Sequence, residues 1–266
     1  MKPSLMIAVG CSWVAARAID IEPQATTFDW DHIEDPGFVE QHSFAGQLKQ
    51  KLGFDKILFL ASHGSSNDEQ VSKLTNFLSN SMDDYSAVYV LWGITSIYRW
   101  EMFSESTQQV QTCMLGRDPK NEELQKEIKY YFSHFWNKEY ELEKLDTKII
   151  MLDGYLKNLG VEHLFFNSFQ SYNFNVSDSN FYNVKEDNND MLSLLCREND
   201  IKISNSSVPW LNLSRPKDTQ FNTVAVKELQ RTGWLDRVTA HPTVQAHELI
   251  ANKLYDYIKE KNNERI

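Results

Sequence analysis

With 266 residues, of which 41 % are hydrophobic and 12 % aromatic, the chain has material for one large α/β domain or two small ones, and global disorder is excluded. Its 37 acidic against 27 basic residues give a formal charge of −10, and the basic residues form no stripe that overrides that sign, so phosphate backbones and anionic lipid surfaces are repelled and nucleic acid is not expected as a partner. No apolar run approaches the ~20 residues of a membrane-spanning helix.

In chain order, Leu5 to Val9 is a continuous apolar run, as expected of a strand covered on both faces. Behind Lys2 it is shorter than the roughly 7–15 apolar residues of an export signal, so it reads as a first strand. Ser43 to Leu52 is helical and stopped by Gly53; Lys56 to Ala61 is a second strand. Ser66 can cap the next helix, with Glu69 as its capping-box partner, and Val71, Leu74, Phe77 and Leu78 form that helix's apolar stripe. Tyr85 to Trp92 is a third strand.

Residues 121–159 form a charged, aromatic-rich helical block of one or two helices, with Phe132, Phe135, Trp136, Leu145, Ile149, Leu152 and Leu156 at helical spacing, which packing on a sheet explains better than a cofactor box. Gly160 ends the block and Glu162 to Asn167 is a fourth strand. From Ser168 to Asp190 the composition turns to Asn, Ser, Asp and Tyr, which predicts a solvated surface loop or a lid. Met191 to Arg197 is a short helix, 199–220 is irregular, and a last helix runs from about Thr243 to Lys259. The chain thus reads as a single domain over 1–266, with 168–220 as an irregular excursion and candidate lid.

Alternating strands and helices imply a parallel sheet, and parallel sheets bind ligands beyond the carboxyl ends of their strands. The first three strands end in polar or glycine-containing loops, Gly10-Cys11-Ser12, Ser62 to Asn67 and Gly93 to Ser96, which converge on that edge. Ser12 sits on a sharp strand-to-helix turn that presents its hydroxyl there, and His241, just ahead of the last helix, can reach the same place. A serine early and a histidine late point to nucleophilic acyl transfer.

Each of these residues also has a plainer role open to it. Ser12 can be a helix N-cap, and Cys11 a core thiol. Asn67 and Ser65 can serve loop hydrogen bonding. Arg99 can hold an anionic substrate group or pair with Glu101. His63 reads as a surface histidine and His247 as one that packs or caps. Cys11, Cys113 and Cys196 are an odd number without metal-ligand spacing, so no disulfide framework and no metal site is expected, and a reducing, cytoplasmic compartment fits.

Four of these blocks, in order and spanning nearly the whole chain, resemble the SGNH (GDSL-like) hydrolase superfamily, most closely its divergent members in tailed bacteriophages. Gly10-Cys11-Ser12 stands where the superfamily has Gly-Asp-Ser, which implies Ser12 as nucleophile. Gly64 matches the glycine whose backbone N–H helps hold the oxyanion, and Asn67 lies in the same loop. Gly93-Ile94-Thr95 stands for Gly-x-Asn, with Thr95 in place of the asparagine that completes the oxyanion hole. His241-Pro242 matches the last block and implies His241 as general base. Three positions depart from the pattern: Cys11, Thr95, and Val238 where the orienting aspartate belongs, with Asp236 two residues further away as the carboxylate in reach.

The expectation is a three-layer α/β fold, SGNH- or flavodoxin-like, around a parallel sheet of about five strands. The resemblance implies hydrolysis of a carboxylic ester, such as an O-acetyl group on a glycan, by Ser12, His241 and Asp236. Ser12, Gly64 and Thr95 would stabilise the oxyanion, Asn67 and Arg99 would contact substrate, and no metal or organic cofactor is implied. The partner is a small-molecule or glycan ester, and the location the host cytoplasm or a virion. The alternative is an inactive member of the superfamily that keeps the cleft to bind a ligand or to serve as a structural part. A flavodoxin-like nucleotide binder is a third reading, but no Gly-rich phosphate-loop fingerprint is present.

Overall fold

The computed structural model describes residues 2–20, 34–114, 119–172, 174, 180–183, 189–201, 224–237 and 239–263. In chain order these form β1 (Ser4–Gly10), α1 (Pro36–His42), α2 (Phe44–Leu52), β2 (Lys56–Phe59), α3 (Asn67–Ser81) and β3 (Ala87–Ile94). A hairpin of β4 (Arg99–Ser104) and β5 (Gln109–Met114) follows, then α4 (Glu122–His134), α5 (Lys138–Asn158), β6 (Glu162–Asn167), α6 (Met191–Glu198), α7 (Val224–Arg231) and α8 (Val244–Asn263).

The strand period of two explains the layers. In β1, Met6 and Ala8 face a core built with Phe44, Ala45 and Leu48 of α2, Leu194 and Leu195 of α6, Val226 of α7 and Ile250 and Leu254 of α8. Leu5, Ile7 and Val9 face the other way, onto Leu74 and Leu78 of α3 and Leu145, Ile149, Leu152 and Leu156 of α5. A strand apolar at every position is therefore one buried on both faces, which is why its run carries no alternation. Helix ends follow local chemistry. Ser43 accepts the Gly46 amide, and Ser66 accepts the Glu69 amide at 3.0 Å. The Glu69 carboxylate does not complete the capping box but turns to Ser62, Lys73 and Thr112.

The sheet is parallel throughout, in the order β2-β1-β3-β6. Among the described residues it has four strands, not the five or so expected. Beside β6, where a fifth would lie, the chain makes only isolated parallel bridges, Phe165 to Phe181 and Asn167 to Asp190. The hairpin of β4 and β5, which the sequence analysis did not mark, is antiparallel and forms its own two-stranded sheet. α7 was likewise unmarked.

The solvated loop expected over 168–190 is corrected where it is described: Phe169, Tyr172, Phe181, Tyr182, Asn189 and Asp190 are buried. Residues 173, 175–179 and 184–188 of that stretch, and 202–220, lie outside the described residues, as does Val238. Among the described residues no helix is long and apolar enough to cross a membrane.

Strand order reverses between β1 and β3. β1 is followed on one side by β2, through α1 and α2, and on the other by β3, which the chain reaches through α3 on the opposite face. Such a switch point leaves a crevice beyond the carboxyl ends of the two strands. Ser12 leaves β1 there and Thr95 leaves β3.

Candidate active site

Two glycines make the β1 turn possible. Gly10 and Gly93 are partners across the β1–β3 ladder. A Cβ on Gly10 would meet Val14 Cγ2 at 2.3 Å, and one on Gly93 would meet it at 2.5 Å. Val14 therefore folds back over the strand ends, and the chain turns at once. The amides of Val14 and Ala15 donate to Cys11 O, and that of Arg17 to Ser12 O. No α-helix forms over 11–20, because Ala16 and Ala18 take left-handed backbone angles (φ 54° and 63°), which a right-handed helix cannot include. This corrects the strand-to-helix expectation and removes the N-cap role for Ser12.

Ser12 is 3 % exposed, and its hydroxyl makes no hydrogen bond among the described residues. Cys11 is fully buried in the core, as its plainer reading required. At Cys113 and Cys196 burial pushes the thiols up, to about 11 and about 12.

The β2 loop is tied to the same turn. The Ser62 amide donates to Gly10 O at 3.2 Å and the Ser65 hydroxyl to the same oxygen at 2.9 Å. Gly64, between them, has φ 76°, which a residue with a Cβ adopts only at a cost. Among the described residues, neither the Ser12 nor the Gly64 amide donates a hydrogen bond to the protein.

Asn67 is not free to contact a substrate. Its Oδ1 accepts the Thr95 amide at 2.9 Å and its Nδ2 donates to Thr95 O at 3.0 Å, so the side chain clasps the β2 and β3 loops together. Thr95 is thereby fixed with its hydroxyl buried and unbonded. Ser168 Oγ, at the end of β6, is buried and unbonded as well, and lies where a Cβ on Gly93 would meet it at 2.8 Å.

His241 comes from a tight loop ahead of α8. Leu235 bridges Pro242, the Asp236 amide donates to His241 O at 2.9 Å, and Ala240 is left-handed with φ 55°. Asp236 does not reach the imidazole. Its carboxylate accepts the Thr239 amide (2.6 Å), the Thr239 hydroxyl (2.5 Å) and the His241 amide (2.7 Å). The Thr239 Oγ1 in turn lies 2.6 Å from His241 Nδ1. A carboxylate only accepts, so the threonine proton goes to Asp236, and Nδ1–H must donate to Oγ1. Nε2 is left with the lone pair. Sequence spacing missed Thr239; the signal available was a hydroxyl residue three after Asp236 and two before His241.

The His241 ring is 5 % exposed at the residue level, and its centroid is 6.4 Å from that of His63, whose side chain is exposed on the β2 loop. Burial pushes His241 down to about 3, helped by His63, Arg99, His247 and Arg17 nearby. The imidazole is thus neutral throughout the ordinary pH range. No hydrogen bond joins Ser12 to His241 among the described residues. His247 packs and caps: its Nδ1 accepts the Phe44 amide at 3.2 Å and its ring stacks on Phe44.

No protein-family model and no curated protein matches the chain. Among solved structures, it is similar to a member of the lipolytic protein G-D-S-L family from Veillonella parvula DSM 2008, at 10 % identity and a TM-score of 0.34, over 95 % of this chain and 97 % of that one. A likeness this distant says nothing of activity; the chemistry has to be read from the residues themselves.

Proposed function

We propose that this chain is a serine hydrolase of the SGNH type acting on a carboxylic ester, an O-acetyl group on a glycan being one form of it. Ser12 Oγ attacks the ester carbonyl and passes its proton to His241 Nε2. The amides of Ser12 and Gly64 and the Thr95 hydroxyl donate to the oxyanion. His241 returns the proton to the departing alcohol, then takes one from the water that cleaves the acyl-serine, releasing the acid and restoring Ser12. The observation that carries this reading is the Asp236–Thr239–His241 chain, which holds a buried, neutral imidazole in the one tautomer a general base needs.

The test is hydrolysis of p-nitrophenyl acetate. Wild type is expected to turn it over and Ser12→Ala to fall to background, while Cys11→Ala keeps most of the rate because its thiol belongs to the core. The absence of a Ser12–His241 bond among the described residues favours the second reading, a cleft kept for binding alone; on the hydrolase reading that bond tightens only when substrate is bound. Equal rates for wild type and Ser12→Ala at every pH would establish the binding reading.

A further inference from the structure

Arg99 opens β4 just beyond the Thr95 loop, its amide donating to Ser96 O at 3.1 Å. Its guanidinium lies over the Phe169 ring, 5.1 Å from the centroid, and Phe169 packs on Trp13, the residue after Ser12, with 5.8 Å between centroids. A chain of ring contacts thus links the arginine to the β1 turn. Nη1 of Arg99 is buried and unbonded, and no acid among the described residues forms an ion pair with this side chain. Glu101 does not pair with it; its charged neighbours are Asp68, Glu69, Lys144 and Lys148.

In a chain of net charge −10 an uncompensated, partly buried cation is an unusual thing to keep. A charged donor withdrawn from water without a partner is destabilising, and an incoming anion would remove that penalty. The other cation nearby, Arg17, is already held by Glu34 at 3.0 Å, so one positive charge is left open, which suits a monoanion. A guanidinium presents its donors as a planar fork, which suits a planar acceptor such as a carboxylate.

We infer that the ester taken by this site carries a carboxylate, bound by Arg99 through its buried Nη1 beside the carbonyl that Ser12 attacks. The ester half of this statement rests on the hydrolase reading above; the anion site does not. Titration calorimetry on Ser12→Ala protein, with 3-acetamidobenzoate against the neutral 3-acetamidobenzamide, isolates the anion. The carboxylate is expected to bind more tightly by about tenfold to a hundredfold, the range of a hydrogen bond to a charged group. Arg99→Gln in the same background should bring the two affinities together; Arg99→Met, which keeps an apolar stem on Phe169, replaces it if the glutamine variant does not fold.

Equal affinities in the parent, a preference that survives loss of Arg99 in a folded variant, or tighter binding of phenyl phosphate would overturn the inference. Turnover of 3-acetoxybenzoate against 3-acetoxybenzamide by the Ser12 protein separates the two claims. Carboxylate binding without turnover of either ester refutes the hydrolase reading and leaves the anion site standing. Turnover of both at equal kcat/KM does the reverse.

Discussion

A hydroxyl has one proton and two lone pairs, and that asymmetry governs how Thr239 joins Asp236 to His241. With its proton given to the carboxylate at 2.5 Å, Oγ1 can only accept from Nδ1, so the tautomer of the base is set at one remove from the charge. Losing the orienting group of a catalytic histidine costs about 10⁴ in kcat where the carboxylate itself is the partner. Thr239→Val should therefore lower kcat on p-nitrophenyl acetate by roughly 10–10³-fold with KM nearly unchanged, and Thr239→Ser should restore most of it. A purely structural threonine would give a kcat insensitive to the hydroxyl once folding is intact. The pH profile is a second readout: with His241 pushed down to about 3, kcat/KM should stay level as pH falls from 8 to 5, whereas an acid limb near 6.5 would mean a solvated imidazole.

At the scale of elements, the β1 turn is a packing solution shared by two strands. Val14 occupies space that exists because Gly10 and Gly93 have no side chains, and Phe166 Cζ and Ser168 Oγ close the same space from β6, at 2.7 and 2.8 Å from a Cβ on Gly93. Gly93→Ala should therefore destabilise the fold by about 1–3 kcal/mol, the range for overpacking, read from urea unfolding. Adding Val14→Ala should recover only part of it, since Phe166 and Ser168 remain. Full recovery would mean that Val14 alone shapes the turn. α2, α3 and α5 were legible because their signals are local: the stop at Gly53, the cap at Ser66, and the stripe Leu145, Ile149, Leu152 and Leu156 all operate within a few residues. The hairpin of β4 and β5 was not, because its alternation is short, Arg99-Trp100-Glu101-Met102 and Gln109-Val110-Gln111, no two-residue turn signal joins the two, and Gln108 takes its positive φ without a glycine.

For the molecule as a whole, two buried histidines tie stability to pH. His241 and His247 are both pushed down to about 3, the first by burial and nearby positive charge, the second by burial alone. Between about pH 6.5 and 3 the unfolded chain binds protons at these rings and the folded chain does not, so stability is full above about 6.5 and declines as pH falls through that window. The Tm should accordingly drop between pH 7 and pH 5, before most carboxylates titrate, and His247→Gln should shrink the drop. An unchanged drop in that variant would assign the acid sensitivity elsewhere.

What the sequence determined by itself was whatever depends on near neighbours along the chain: the doubly buried character of Leu5 to Val9, the helices with a local stop or stripe such as α2, α3 and α5, and the three loops whose polar residues had to meet once the strands proved parallel. Only the tertiary structure decided which atoms in those loops are occupied. Asn67 is spent on the Thr95 backbone, Thr95 Oγ1 and Arg99 Nη1 are left open, and Asp236 reaches His241 through a threonine. The same holds for the sheet, where among the described residues the chain beyond β6 adds isolated bridges at Phe181 and Asp190 and not a further strand. The reason is that a side chain's type sets what it can bond, while its partner is set by segments brought together from some two hundred positions away, as Phe44 and His247 are, and no local pattern encodes that distance.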